Sequence, residues 1–213
     1  MIDIVHPRIE RYLRRLIPAR DRVLAEMESR AGRERIPIVG PLVGRLFFQL
    51  ALMVRARRVM ELGSAIGYST LWWARAVGPR GRVWYTDGDL ANARDAREYL
   101  RRAGVGRRVS FMTGDAVASM RRVRGTFDIV FCDIDKHGYP AAFRAAWPRI
   151  RRGGLFVCDN TLWSGWVTGR ASRDDPDTAA IQRLNRTTFA LGDRGFAVLL
   201  PIRDGVTVVL KRG

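Results

Sequence analysis

From residue 58 onward the chain alternates short runs of β-branched or aromatic residues with longer stretches whose apolar positions recur every three or four residues. That is the pattern of strands separated by amphipathic helices. Runs at 58–62, 82–86, 109–112, 127–132 and 155–158 predict five strands, and helices are expected to begin near Tyr68, Leu90, Ala116 and Tyr139. Such an alternation builds a parallel sheet covered by helices. Two closing strands, 196–200 and 206–210, have only 201–205 between them, which fits a hairpin and sets an antiparallel strand at the end of the sheet.

Residues 1–57 carry a different pattern. The stretches 8–17, 18–31 and 44–54 show helical periodicity, with Pro18 well placed at a helix start. The reading is one domain, with a helical extension over 1–57 and an α/β core over 58–213. The apolar run 42–54 is interrupted by Arg45 and Gln49 and falls short of the roughly 20 residues that span a bilayer. It predicts a buried helix and no membrane partner. The segment 163–176, rich in Gly, Ser, Asp and Arg, reads as a surface loop.

Composition adds further constraints. The first ten residues hold Asp3, Arg8 and Glu10 with no apolar secretory core, so a cytoplasmic protein is expected. Cys132 and Cys158 fall inside strand-like runs, where a free thiol behaves as a small hydrophobe. A formal charge of +17 invites a nucleic-acid partner. Yet Arg101, Arg102, Arg121, Arg122, Arg149, Arg151 and Arg152 fall near predicted helix ends, where cations complement the helix dipole. Only two of the 38 basic residues are lysines, and Lys136 sits beside carboxylates at the end of the fourth strand. Lysine is the common cation whose pKa can be pulled low enough to act as a base.

The run Met60-Glu61-Leu62-Gly63-Ser64-Ala65-Ile66-Gly67-Tyr68-Ser69 joins the first strand to a helix through two glycines. Such a turn lets backbone approach a ligand, and the helix start offers free amide donors to an anionic group. The spacing is neither the G-x-G-x-x-G of dinucleotide enzymes nor a phosphate cradle ending in Gly-Lys-Ser/Thr, which disfavours hydride and phosphoryl transfer. Asp87 lies 24 residues beyond Gly63, at the end of the second strand, where an acid can accept both ribose hydroxyls. Asp133 follows the fourth strand, and Asp159-Asn160 follows the fifth. Oxygen ligands without His or Cys favour Mg²⁺, Mn²⁺ or Ca²⁺. Asp133 as a helix cap and Asp159-Asn160 as a turn are the structural alternatives.

These segments, with Gly114-Asp115-Ala116, the run 131–139, Gly153-Gly154, Asp159-Asn160-Thr161-Leu162-Trp163 and the run 200–205, resemble the cation-dependent, S-adenosylmethionine-dependent O-methyltransferases. That group contains catechol and caffeoyl-CoA methyltransferases and many small bacterial enzymes. The resemblance implies a Rossmann-like class I methyltransferase fold with a seven-stranded, mostly parallel sheet. It implies that Asp133, Asp159 and Asn160 hold the metal and that Lys136 is the base. Val39, Glu61, Gly63, Ser69, Asp87, Asp115, Ala116 and Asp133 would bind S-adenosylmethionine. Thr161 departs from the Val common after that Asn, and the strand end 85–89 is unusually polar.

The expected acceptor is a catechol-like vicinal dihydroxy aromatic, held at Lys136 and Trp163. Trp163 and Trp166 either stack on it or pack against the base of their own loop. For Lys136 to accept a proton, nearby Mg²⁺ and partial burial must lower its pKa from about 10.4, with Asp135 pointing away. His137 is a rival base. Some relatives that the amino-terminal helices and Ile36-Pro37-Ile38 resemble methylate hydroxyuridine in tRNA, which is the alternative substrate. A non-catalytic basic domain binding nucleic acid is a third reading, and the resemblance also implies a homodimer built on the amino-terminal helices.

Overall fold

A computed structural model describes residues 2–172 and 174–213. Arg173, within the loop read over 163–176, and Met1 lie outside them. Eight α-helices and seven strands are found among the described residues: α1 (Pro7–Leu16), α2 (Arg22–Glu34), α3 (Gly40–Met53), β1 (Arg58–Leu62), α4 (Tyr68–Ala76), β2 (Arg82–Asp87), α5 (Leu90–Arg102), β3 (Val109–Thr113), α6 (Ala116–Arg122), β4 (Phe127–Cys132), α7 (Tyr139–Ala146), β5 (Ile150–Cys158), α8 (Pro176–Phe189), β6 (Gly195–Leu200) and β7 (Val206–Lys211).

The strands form one sheet in the order β3-β2-β1-β4-β5-β7-β6. Pairings from β3 through β5 are parallel, while β7 runs antiparallel to both β5 and β6. The expected hairpin is present, but its second strand inserts against β5, so the antiparallel strand lies one place in from the edge. The strand order reverses between β1 and β4, where an open α/β sheet leaves a crevice at the strands' carboxyl ends.

Both faces of the sheet are covered, which explains the near-continuous apolar strands. On one face α2, α3, α4 and α5 contribute to a core that includes Phe47, Trp73 and Phe131. Phe47 stacks on Trp73 with ring centroids 4.5 Å apart. Trp73 is fully buried and Trp72 nearly so. On the other face α6, α7 and α8 pack around Met60, Phe143 and Phe156. Cys132 and Cys158 are buried, free and paired in register between β4 and β5.

The extension departs from its expected boundaries. Helix α2 starts at Arg22 rather than Pro18, because Asp21 caps it by accepting from Val23 N and Leu24 N. Helix α3 starts at Gly40, four residues ahead of Gly44, with Pro41 in its first turn. It buries Val43, Phe47 and Ala51 and turns Arg45 and Gln49 outward, so the two polar interruptions mark its solvent face. Helix α1 buries none of its residues, and Ile9, Tyr12 and Leu16 are more than half exposed. Among the described residues no helix is long and apolar enough to cross a membrane.

Several arginines are structural. Arg149 donates to the carbonyls of Val123 and Gly125, Arg58 to those of Thr126 and Arg124, and Arg151 to Asp128 and to Val54 O. Arg101, Arg102, Arg121 and Arg122 do occupy last helical turns. Arg151 and Arg152 instead lie on β5, which begins at Ile150 because its first residue pairs with Phe127.

Candidate functional site

The carboxyl ends of β1, β2, β4 and β5 open onto a cavity of about 760 Å³. The loop after β1 forms its floor. Gly63 has φ 82, and a Cβ there would sit 2.3 Å from the Asp133 carbonyl oxygen. Gly67, also at φ 82, passes so close to α5 that a Cβ would lie 2.8 Å from Ala96 Cβ. Both glycines are therefore required by conformation and by clearance.

The polar strand end 85–89 staples this loop in place. Tyr85 OH donates to Ala65 O at 2.7 Å, and Thr86 Oγ1 donates to Glu61 O at 2.7 Å. Asp87 accepts from Ala65 N at 2.8 Å, from Asp89 N at 2.8 Å and from Asn92 at 3.2 Å. The departure from an ordinary apolar strand end thus has a mechanical reason.

Glu61 lies behind the loop, fully buried, and is not part of the cavity wall. It accepts from Ser64 Oγ at 2.8 Å and from Thr70 Oγ1, while its Oε1 has no partner. Burial pushes its carboxyl up to about 7, opposed by hydrogen bonds from Ser69, Thr70 and Ser64. The folded protein therefore holds this proton more tightly than the unfolded chain, and the stability it contributes is present at low pH and lost as pH rises through 7. Glu61→Gln is expected to flatten that fall by on the order of 3 kcal/mol. Urea midpoints of both proteins between pH 4 and 8 would measure it; parallel curves would remove the assignment.

Val39, Ser69, Asp87, Asp115 and Ala116 line the same cavity as Gly63. Asp115 caps α6 by accepting from Ala118 N at 2.6 Å. Arg121, which sequence reasoning did not select, also lines this side.

Asp133, Lys136, Asp159 and Asn160 line the opposite side. Lys136 Nζ donates to Asp133 Oδ1 at 2.8 Å and to Ile134 O at 3.3 Å, with its side chain only 14% exposed. Burial pushes the Lys136 ammonium down, but attraction to Asp133 and the hydrogen bond outweigh it, so its pKa is raised. The lowering expected of Lys136 calls for a nearby cation as well as burial; with Asp133 alone as its partner the amine is an ion-paired donor. Asp135 is exposed. His137 is exposed too, and both its backbone N–H, at 2.9 Å, and its Nδ1, at 3.6 Å, face Asp177 of α8.

Asp159 is buried, and burial followed by repulsion from Asp133 pushes its carboxyl up to about 7. Its Oδ1 has no hydrogen-bond partner. Asn160, at φ 56, donates through Nδ2 to Asp204 at 3.4 Å, leaving its carbonyl oxygen uncommitted. Among the described residues no three His, Cys, Asp or Glu side chains group as a metal site. The strand-end set consists instead of two carboxylates and one amide. An orphaned, buried carboxylate oxygen beside a second carboxylate and a free amide oxygen fits a hard cation.

Thr161 is buried and pairs with Thr207 Oγ1 at 3.0 Å, so the hydroxyl in place of Val is satisfied on β7. Trp163 is half-buried and lies outside the cavity wall. Its ring centroid is 5.9 Å from Lys136 Nζ and 6.3 Å from the Trp166 ring, which packs edge-on. Arg203 and Asp204, in the turn before β7, were not singled out by sequence reasoning, although their motif was.

The O-methyltransferase family model matches residues 24–212. The catechol O-methyltransferase of Mycobacterium tuberculosis is 34% identical over 180 residues, covering 83% of this chain and 81% of its own. The caffeoyl-CoA O-methyltransferase of Petroselinum crispum is 31% identical over 178 residues, covering 78% and 73%. The crystal structure of the O-methyltransferase TomG from Streptomyces achromogenes, in complex with S-adenosylmethionine, matches with a TM-score of 0.85 at 28% identity, covering 97% of this chain and 96% of that one.

Proposed function

This chain belongs to the O-methyltransferase family, and on that basis we propose that it moves a methyl group from S-adenosylmethionine to one hydroxyl of a vicinal dihydroxy aromatic, with help from a divalent cation. The observation that carries the reading is the meeting, in one cavity, of the glycine loop with Asp87 and Asp115 on one side and Asp133, Lys136, Asp159 and Asn160 on the other.

In this reading the amides after Gly63 and the start of α4 hold the methionine end of the donor, Asp87 takes the ribose hydroxyls, and Asp115 and Ala116 border the base. Asp133, Asp159 and Asn160 would hold Mg²⁺, Mn²⁺ or Ca²⁺, which would supply a Lewis acid able to lower the phenol pKa from about 10. Lys136 stands beside Asp133; with Asp133's charge shared by a cation, its ammonium would release a proton to solvent and the neutral amine would take the phenolic proton. As the O–CH₃ bond forms, the S–CH₃ bond breaks and S-adenosylhomocysteine leaves. Holding the oxygen in line with that bond supplies roughly 7 to 11 kcal/mol of the barrier reduction.

Methyl-labelled S-adenosylmethionine, catechol and total tRNA incubated together with the protein test this. Label is expected in catechol, abolished by EDTA and restored by Mg²⁺. Label in tRNA alone would favour the hydroxyuridine reading that the basic charge suits, and EDTA-insensitive methylation would remove the cation.

A further inference from the structure

Asn160 and Arg203 belong to the walls of two cavities, the main one and a second of about 410 Å³ bordered by Ile2, Ile4, Val5 and the Glu10–Arg14 pair. Arg203 lies in the turn between β6 and β7 with φ 52, a left-handed conformation uncommon for a residue bearing a side chain. The turn is pinned by its neighbours: Asp204 accepts from Ser164 N and from the Asn160 amide, and Gly205 N donates to Ile202 O at 3.0 Å. The start of the Arg203 side chain is therefore fixed at the junction of the two cavities.

Its guanidinium is underused there. The nearest opposite charge is Asp159 Oδ2, 3.8 Å away, with the Arg203 side chain 30% exposed. That distance is an ion pair without a hydrogen bond. The other charges on the second cavity are committed or exposed. Arg14 binds Glu10 through two contacts at 3.0 and 2.7 Å, Asp204 serves the turn, and Asp3 is exposed. A planar fork of five donors with no acceptor, at the entrance to the acceptor side, matches a carboxylate.

We infer that Arg203 selects the acceptor by receiving a carboxylate carried on the dihydroxy aromatic ring, so that acidic catechols are preferred over neutral ones. This rests on the function proposed above, with the hydroxyls at Asp133, Asp159 and Asn160. Its closeness to Asp159 places the favoured carboxylate near the hydroxyls, and a role limited to balancing Asp159 would affect every acceptor alike.

Calorimetric binding of catechol, 2,3-dihydroxybenzoate and 3,4-dihydroxybenzoate to the protein with Mg²⁺ and S-adenosylhomocysteine separates these. The parent protein is expected to bind at least one acid more tightly than catechol. Arg203→Gln, and Arg203→Gly, which suits the φ, should weaken that acid by at least about tenfold and leave catechol within about twofold. Arg203→Lys should restore part of the difference. An equal loss for all three ligands, or no change in any, would overturn the inference while leaving the methyltransferase reading intact. If the parent protein binds none of them, the acceptor class itself falls and takes this inference with it.

Discussion

Lys136→Arg is expected to lower kcat by about 100-fold or more while S-adenosylhomocysteine binds with parental affinity, since a positioned base contributes at least that factor. The substitution preserves the positive charge and the means to pair with Asp133, now made at 2.8 Å. It removes the capacity to give up a proton near neutral pH, because a guanidinium stays charged. The distinction matters because the raised pKa of Lys136 describes an ammonium serving Asp133. If charge balance were its whole role, Arg would substitute well. Single-turnover methylation of catechol, run beside a calorimetric titration with S-adenosylhomocysteine, separates the two roles. Turnover within a few-fold of the parent would leave Lys136 as a counter-ion and pass the proton to solvent.

What could be read from the sequence, and what could not, follows from how each feature is encoded. Strands β1 and β4 lie at the sheet centre with both faces buried, so their apolar runs match the observed bounds residue for residue. The four helix starts at Tyr68, Leu90, Ala116 and Tyr139 follow turns rich in Gly and Asp and were equally legible. The first half of β5, Ile150 to Gly154, contains Arg151, Arg152 and two glycines, so its pairing is invisible to hydropathy. Helix α8 is masked in the sequence by the polar stretch 163–176, which runs up to its start. Asp175 as cap and Pro176 in the first turn were available signals.

At the site, the strand-end carboxylates and Lys136 were legible because the sheet places strand ends together. Their mutual pairing was not, since it depends on side-chain conformation. The burial that pushes Asp159 to about 7, and the left-handed backbone that presents Arg203, arise from tertiary packing and leave no local mark beyond a turn-rich motif.

The loop after β1 carries the second large expectation. Gly63→Ala should destabilise the protein by about 3 kcal/mol or more, the range for a backbone clash added to a disallowed φ. The added methyl would lie 2.3 Å from Asp133 O and 2.8 Å from its carbonyl carbon, both backbone atoms. Asp133 cannot retreat freely, because its N–H donates to Leu62 O at 2.8 Å within the β1–β4 pairing. Relief must therefore come from moving the loop, which shifts the amides proposed to hold the donor and the strand end carrying Asp133 together. A displacement near 1 Å can cost about 100-fold in a positioned complex, and S-adenosylhomocysteine affinity should fall by at least that factor. Gly192→Ala supplies the control: its φ is 59, but nothing lies within 4 Å of the added carbon, so it should cost only about 1 kcal/mol. Urea unfolding of the two variants beside the parent, with a cofactor-product titration of each, reads both effects. Equal stability of the two alanine variants, with parental affinity in Gly63→Ala, would mean that the close approach of β1 and β4 is not what shapes the donor site.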